Sequence, residues 1–286
     1  MTTPPTTDLP TGQPTGQPDA TLTAVIGAGV MGETLLSGLI RAGRPVDRLL
    51  VGEKRPERAE ELRGRYGVEV AGNVEVTERA RTVVLVVKPQ DMAAVVDEIA
   101  PSLRPGHLVV SLAAGITTAF IEARVPDGVA VVRVMPNTPA LVDEGMSAVS
   151  GGSLASEEDL AEVEGLLSAT GKVLRIPEKQ QDAVTAISGS GPAYLFFVVE
   201  SMIEAGVHLG LPRSTATDLV VQTVVGSATM LRETGTHPTV LREQVTSPAG
   251  TTAAALRELE IHGVRAAFLA AMEAARNRSQ ALAGGA

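Results

Sequence analysis

Three glycines at the spacing Gly27-Ala28-Gly29-Val30-Met31-Gly32 form the first pattern in this chain that could do chemistry. They stand between a short apolar run ending at Ile26 and leucines at helical intervals, Leu35, Leu36 and Leu39. The order reads as strand, tight turn and helix. Gly27 permits the turn, Gly29 lets a ligand approach the backbone, and Gly32 lets the helix lie close on the strand. The helix start at Val30 and Met31 then directs unpaired N–H groups and a positive dipole end at phosphate oxygens. A dinucleotide pyrophosphate fits this pattern. A plain glycine-rich turn is the alternative, which the flanking strand and helix disfavour.

Four further stretches carry polar groups at places where a ligand of an open sheet would lie. The end of the second strand, about 20 residues past such glycines, faces the adenosine ribose. Here it reads Gly52-Glu53-Lys54-Arg55-Pro56-Glu57-Arg58. Glu53 suits a free ribose 2′-hydroxyl, whereas Lys54, Arg55 and Arg58 suit a 2′-phosphate. The charges argue both ways, with a solvated cluster as the plain alternative. Lys88 and Pro89 follow an apolar strand at its C-terminal end, and Asn137-Thr138-Pro139 occupies an equivalent rim position. Ser188-Gly-Ser-Gly-Pro-Ala-Tyr194 is a glycine-rich lead-in to a helix with Pro192 in its first turn. Val245-Thr-Ser-Pro-Ala-Gly-Thr-Thr252 precedes another helix, and the amides of Gly250, Thr251 and Thr252 could receive a carboxylate there. A helix capped by its own hydroxyls is an equal reading of that spacing.

Composition narrows the chemistry. The 286 residues carry a formal net charge of −9, which disfavours nucleic acid and anionic membrane surfaces as partners. Aromatics make up 2% with no Trp, so base-stacking platforms are scarce. Cysteine is absent, which removes disulfides, thiolate metal sites and thiol nucleophiles together. The four histidines show no metal-ligand spacing, and no metal is expected. The most apolar run, residues 193–199, is followed by Glu200 and Glu204, so no membrane span is expected, and cytoplasmic residence is the default.

The elements that must position these residues fall into two kinds. Residues 1–20 are too poor in apolar side chains to fold and read as a disordered tail. Residues 21–177 alternate strand and helix, with strands expected at 49–51, 68–70, 82–87, 108–112, 129–135, 146–150 and 172–176. Such alternation gives an α/β, Rossmann-type, doubly wound and mainly parallel sheet. Residues 178–286 show no strand signal and read as helices at 179–187, 193–209, 213–233 and from 253 to the C-terminus. Several are apolar nearly all round, so an all-helical domain that interlocks in a dimer is expected.

Taken together, the glycine turn, Val87-Lys-Pro89, Ala113-Ala-Gly115, Arg133-Val-Met-Pro-Asn-Thr-Pro139, Ala183-Val-Thr-Ala-Ile-Ser-Gly-Ser-Gly-Pro-Ala-Tyr194 and Val245–Thr252 resemble the pyrroline-5-carboxylate reductase family from about residue 21 to 283. The resemblance implies hydride transfer from NAD(P)H to the cyclic imine 1-pyrroline-5-carboxylate, giving proline. It implies NADPH as cofactor, with NADH as the alternative, and dimers assembled into a decamer in which one subunit's substrate loop faces its partner's nicotinamide. By position, Asn73 becomes an adenosine-ribose contact, and Val87, Lys88 and Pro89 line the cofactor cleft. Ala113 and Ala114 fall near the nicotinamide, and Asn137 near its carboxamide. The Val245 carbonyl meets the imine nitrogen, Ser247 and the amides of Gly250, Thr251 and Thr252 take the carboxylate, and the Thr252 hydroxyl lies beside the reacting imine. One departure stands out: the family's Pro-Gly-Gly is Pro248-Ala249-Gly250 here, so Ala249 is expected in an αR or β conformation.

Two rivals use the same fold. A β-hydroxyacid dehydrogenase would place a lysine four residues beyond Gly191, where this chain has Leu195 and no lysine follows in that helix. A non-catalytic NADP-binding sensor would have no use for the polar Val245–Thr252 loop.

Overall fold

The computed structural model describes residues 19–283. The sequence alternates as expected through β1 (Asp19–Ile26), α1 (Val30–Arg41), β2 (Leu49–Gly52), α2 (Pro56–Tyr66), β3 (Glu69–Ala71), α3 (Asn73–Arg79), β4 (Ala80–Leu85), α4 (Met92–Ile99), β5 (Leu108–Ser111), α5 (Thr118–Glu122) and β6 (Ala130–Met135). It continues with β7 (Gly145–Gly151), α6 (Glu157–Leu167) and β8 (Gly171–Arg175). Of the expected tail, residues 1–18 lie outside the described residues, while Asp19 and Ala20 already belong to β1, Asp19 pairing with Ala80.

Among the described residues, eight strands form one sheet in the order β3-β2-β1-β4-β5-β6-β7-β8. All neighbours are parallel except β6 and β7. The order reverses between β1 and β4, the switch point beside which ligands of such sheets bind. Strands covered on both faces must be apolar throughout, and Val83, Val84 and Leu85 are each at most 1% exposed. Their side chains feed two cores. One lies under α1, α2 and α6 and holds Leu35, Leu36, Leu62 and Leu166; the other lies under α3 and α4 and holds Val76, Met92, Val96 and Ile99. A capping box starts α6: Ser156 Oγ accepts from the Asp159 amide while the Asp159 carboxylate accepts from the Ser156 amide.

The chain then turns helical through α7 (Gln181–Val184), α8 (Gly191–His208), α9 (Arg213–Thr234), α10 (Pro238–Gln244), α11 (Thr251–Ile261) and α12 (Val264–Ala283). Two expectations are corrected. The helices expected at 179–187 and 193–209 are one continuous helical stretch, joined by a π turn over Thr185–Gly189. Pro192 is tolerated because it sits in the first turn of α8, where its missing N–H costs nothing. The helix expected from 253 onward is two: Gly263 at φ +68° breaks it, since left-handed backbone ends a helix. Helix α10 was missed, although Pro238 at its first turn and His237 accepting from the Thr239 amide are ordinary start signals.

A polar knot joins the two halves. Arg133 of β6 is 3% exposed, with Nη1 3.5 Å from Glu178 and Nη2 3.7 Å from Asp182. Glu178 also accepts from the amide and hydroxyl of Thr118, each at 2.7 Å, and Asp182 accepts from Ser279 of α12 at 2.8 Å. Fully buried Gln181 donates to the Ala148 carbonyl at 3.2 Å and to Ser150 Oγ at 2.9 Å.

Candidate active site: a dinucleotide cleft and a remote polar loop

The C-terminal ends of β1, β2, β4 and β5 bring most of the expected cofactor residues to one rim. The Gly27 amide donates to the Gly52 carbonyl at 3.2 Å, the Val86 amide to the Ile26 carbonyl at 2.8 Å, and the Leu112 amide to the Leu85 carbonyl at 3.0 Å. Those bonds align the glycine turn with Val87-Lys88-Pro89 and with Ala113-Ala114. Gly27 sits at φ +94°, and a Cβ there would lie 2.6 Å from the Val86 carbonyl oxygen. A Cβ on Gly32 would lie 2.2 Å from the Gly27 carbonyl oxygen, so no side chain fits. Around Gly29 there is open space, which is what an approaching pyrophosphate needs. Gly29 caps α1 without any side-chain bond, and the first intrahelical bond is donated by Glu33, so the amides of Val30, Met31 and Gly32 point into that space unpaired. Such a cradle fits a dinucleotide.

The ribose end is more occupied than the spacing suggested. Glu53 accepts from the amide, Nε and Nη2 of Arg55, each at 3.0 Å. Burial raises the Glu53 pKa, but the bonds from Arg55 outweigh it and hold the carboxyl below its usual value. Lys54 Nζ lies 2.7 Å from Glu98 of α4, and buried Asn73 donates to the same carboxylate at 3.1 Å. A Cβ on Gly52 would stand 2.7 Å from Asn73 Oδ1, so that glycine makes room for the asparagine. Arg58, counted above among the cations for a 2′-phosphate, instead donates Nε and Nη2 to the Ala28 carbonyl at 3.2 and 3.1 Å. Glu98 had no sequence signal, because only the fold brings α4 beside Asn73.

Asn137 does something the sequence did not suggest. Its Oδ1 accepts from the Met146 amide at 2.8 Å, and its Nδ2 reaches the Ser188 carbonyl at 3.3 Å and Ser188 Oγ at 3.2 Å. It thereby ties the sheet rim to the π turn, and π turns are frequent at functional sites. A Cβ on Gly189 would lie 2.4 Å from Met135 Cε, so the glycine-rich lead-in permits a close junction.

The polar loop leads into α11, which packs against α12 and makes no comparable contact with any strand. Pro248 and Ala249 form a turn closed by the Gly250 amide donating to the Ser247 carbonyl at 3.0 Å. The expectation for Ala249 is corrected: it sits at φ +57°, in the left-handed region. Pro at the second and positive φ at the third place is the type II arrangement, which the turn imposes despite the methyl group. Helix α11 is capped by Gly250 with no side-chain bond, so the hydroxyls of Ser247, Thr251 and Thr252 do not serve as its cap. Val245 is 63% exposed, and Thr252 is half-buried.

The comparisons with known proteins cover both halves. Residues 178–282 match the family model described as pyrroline-5-carboxylate reductase dimerisation, and residues 23–115 match the one described as NADP oxidoreductase, coenzyme F420-dependent. A pyrroline-5-carboxylate reductase of Corynebacterium melassecola is 49% identical over 266 residues, covering 92% of this chain and 98% of that protein. The chain belongs to the pyrroline-5-carboxylate reductase family. Among solved structures, the Coxiella burnetii family member superposes with a TM-score of 0.87 at 35% identity, over 92% of this chain and 99% of that one. The Plasmodium falciparum member, solved with NADP bound, gives 0.84 at 30% identity, over 93% and 100%. The exposed helices now have a reading. Glu178–His208 is long and apolar enough to cross a membrane, contrary to the expectation from Glu200 and Glu204, yet it lies within the region matching the dimerisation model. Phe196 and Phe197, 65% and 70% exposed, are the kind of surface a partner subunit covers.

Proposed function

We propose that this chain reduces the C=N bond of 1-pyrroline-5-carboxylate to give L-proline, with NADPH preferred and NADH as the alternative. End-to-end similarity to the family supports the reaction. The observation that carries the substrate assignment is the start of α11, whose amides are free and whose neighbouring hydroxyls are not spent on capping. In this reading residues 21–177 hold the dinucleotide and residues 178–286 hold the substrate and the dimer contact. Gly27, Gly29, Val30, Met31 and Gly32 hold the pyrophosphate. Lys54, Arg55 and Asn73 face the adenosine ribose, and Val87, Lys88, Pro89, Ala113, Ala114 and Asn137 line the nicotinamide end. Ser247 and the amides of Thr251 and Thr252 receive the carboxylate, a task suited to a helix N-terminus, while the Gly250 amide, expected to join them, is spent on the Ser247 carbonyl and closes the turn beside them.

The bound dinucleotide supplies the hydride for the imine carbon. A cyclic imine takes up a proton readily, so no strong general acid is required, and the residues here work by holding and orienting. The Val245 carbonyl and the Thr252 hydroxyl orient the protonated ring nitrogen. Because α11 packs on α12 and makes no comparable contact with the sheet of its own chain, the loop serves the cleft of the partner subunit, and dimers assemble further, into a decamer in the cytoplasm.

NADPH oxidation followed with and without 1-pyrroline-5-carboxylate tests the reading. Consumption only with the imine is expected; NADPH binding without turnover would favour the sensor. Thr252→Ala should lower kcat by about 10- to 100-fold while leaving NADPH affinity nearly unchanged. An unchanged kcat would remove Thr252 from the mechanism.

A further inference from the structure

Beside the glycine turn lies a closed ring of charge built from α1 and α2. Arg58 bridges Glu33, in the first turn of α1, and Glu61, which lies 2.6 Å from Nη1. Arg65 bridges the same two carboxylates, at 2.6 Å from Glu33 and 3.0 Å from Glu61. Tyr66 Oη donates to Glu33 at 2.7 Å. Burial raises the Glu33 pKa, but bonds from Arg58, Tyr66 and Arg65 outweigh it, so the carboxylate stays charged at neutral pH. A bare carboxylate this close to a phosphate cradle would repel its ligand, and the two guanidinium groups cancel that repulsion. Through Nε and Nη2, Arg58 also grips the carbonyl of Ala28, inside the turn itself. Four of its five N–H groups are thereby spent within the chain, and its side chain is 18% exposed, against 68% for Arg55.

We propose that Arg58, held by Glu33, is a positioning residue that fixes the carbonyl of Ala28 and so the amides of Val30, Met31 and Gly32, and that it does not read the adenosine 2′ position. The inference rests on the dinucleotide reading above. It predicts that Arg58 matters equally to both nicotinamide dinucleotides, because both carry the pyrophosphate. Arg55, exposed and with its Nη1 not committed to Glu53, would matter only where a 2′-phosphate is present.

Calorimetric titration of NADPH and NADH into the full-length protein separates these roles. Arg58→Gln should weaken both about tenfold, and Arg58→Lys should not rescue, since an ammonium cannot hold one carbonyl with two donors while bridging two carboxylates. Glu33→Gln should weaken both in the same sense, and it serves if the arginine variants fail to fold. Arg55→Gln should weaken NADPH alone. In steady state the Arg58 loss should fall on the KM for dinucleotide rather than on kcat or the KM for the imine, a split that general destabilisation would not produce. Loss confined to NADPH in Arg58→Gln, or unchanged affinity for both, would overturn the proposal. Wild-type protein that binds NADPH without reducing the imine would overturn the reductase reading while leaving this one standing.

Discussion

The two halves of this chain solve the burial problem differently. The sheet half hides its apolar residues within itself: Ile26, Leu36, Leu85, Met92 and Ile99 are at most 1% exposed. The helical half cannot. Helix α8 buries no residue and α9 buries only Ala216 and Val220, while Phe196, Phe197, Leu219, Val225 and Leu269 stand open. An apolar cleft between α11 and α12, lined by Leu256, Leu259, Val264, Phe268 and Met272, stays open as well. The difference teaches that the sheet half completes its core within one chain, whereas the helical half leaves its apolar surface for an assembly to cover.

Breaking the helical surface should therefore have the largest effect. Replacing Phe196 and Phe197 with Asp should lower specific activity about tenfold or more at nanomolar protein, with dimers lost in analytical ultracentrifugation. NADPH binding should survive in the resulting monomers; its loss together with activity would erase the contrast.

Titration of the sheet half sharpens the contrast next. His107 is 1% exposed, with Nε2 3.1 Å from the Thr77 carbonyl and Nδ1 3.0 Å from the Arg104 amide. Burial lowers its pKa from the ordinary 6.5. The unfolded chain then binds a proton that the folded chain refuses, so this stability is present above pH ~6.5 and is lost as pH falls below it, by up to about 1.4 kcal/mol per pH unit. Melting temperatures from pH 7.5 to 5.5 should fall more steeply in wild type than in His107→Gln. Ion pairs of the helical half such as Arg213–Glu204 are exposed, and screening leaves them little to contribute.

The smallest effect concerns the loop. Ala249→Gly should relieve about 1 kcal/mol of left-handed strain and raise Tm by roughly 2 °C, read by calorimetry. A lower Tm would mean that the methyl group makes a contact worth more than the strain.

The sheet half was legible because its signals are local. Glycine spacing and apolar strands each act within a few residues, and they put Gly27, Gly32 and Lys88 past the C-terminal ends of their strands. What stayed hidden depends on distant segments meeting. Nothing near Asn73 announces Glu98, nothing near Asn137 announces Ser188, and Arg58 looked like a phosphate ligand until the Ala28 carbonyl came within reach. Ala249 was misread for another reason: intrinsic preference pointed away from positive φ, and the closure of the turn overrode it.

The antiparallel turn at β7 has a mechanical consequence. It turns β8 to run back down from beyond the rim, so the chain leaves it beside Arg133, and the helical stretch from Glu178 must climb until Ser188 meets Asn137. That climb acts as a gauge. Adding or deleting one residue along it would rotate everything beyond by about 100°, swinging the dimer face and the polar loop out of alignment together. Surface loops elsewhere should absorb such a change; this ascending helix has no slack in which to do so.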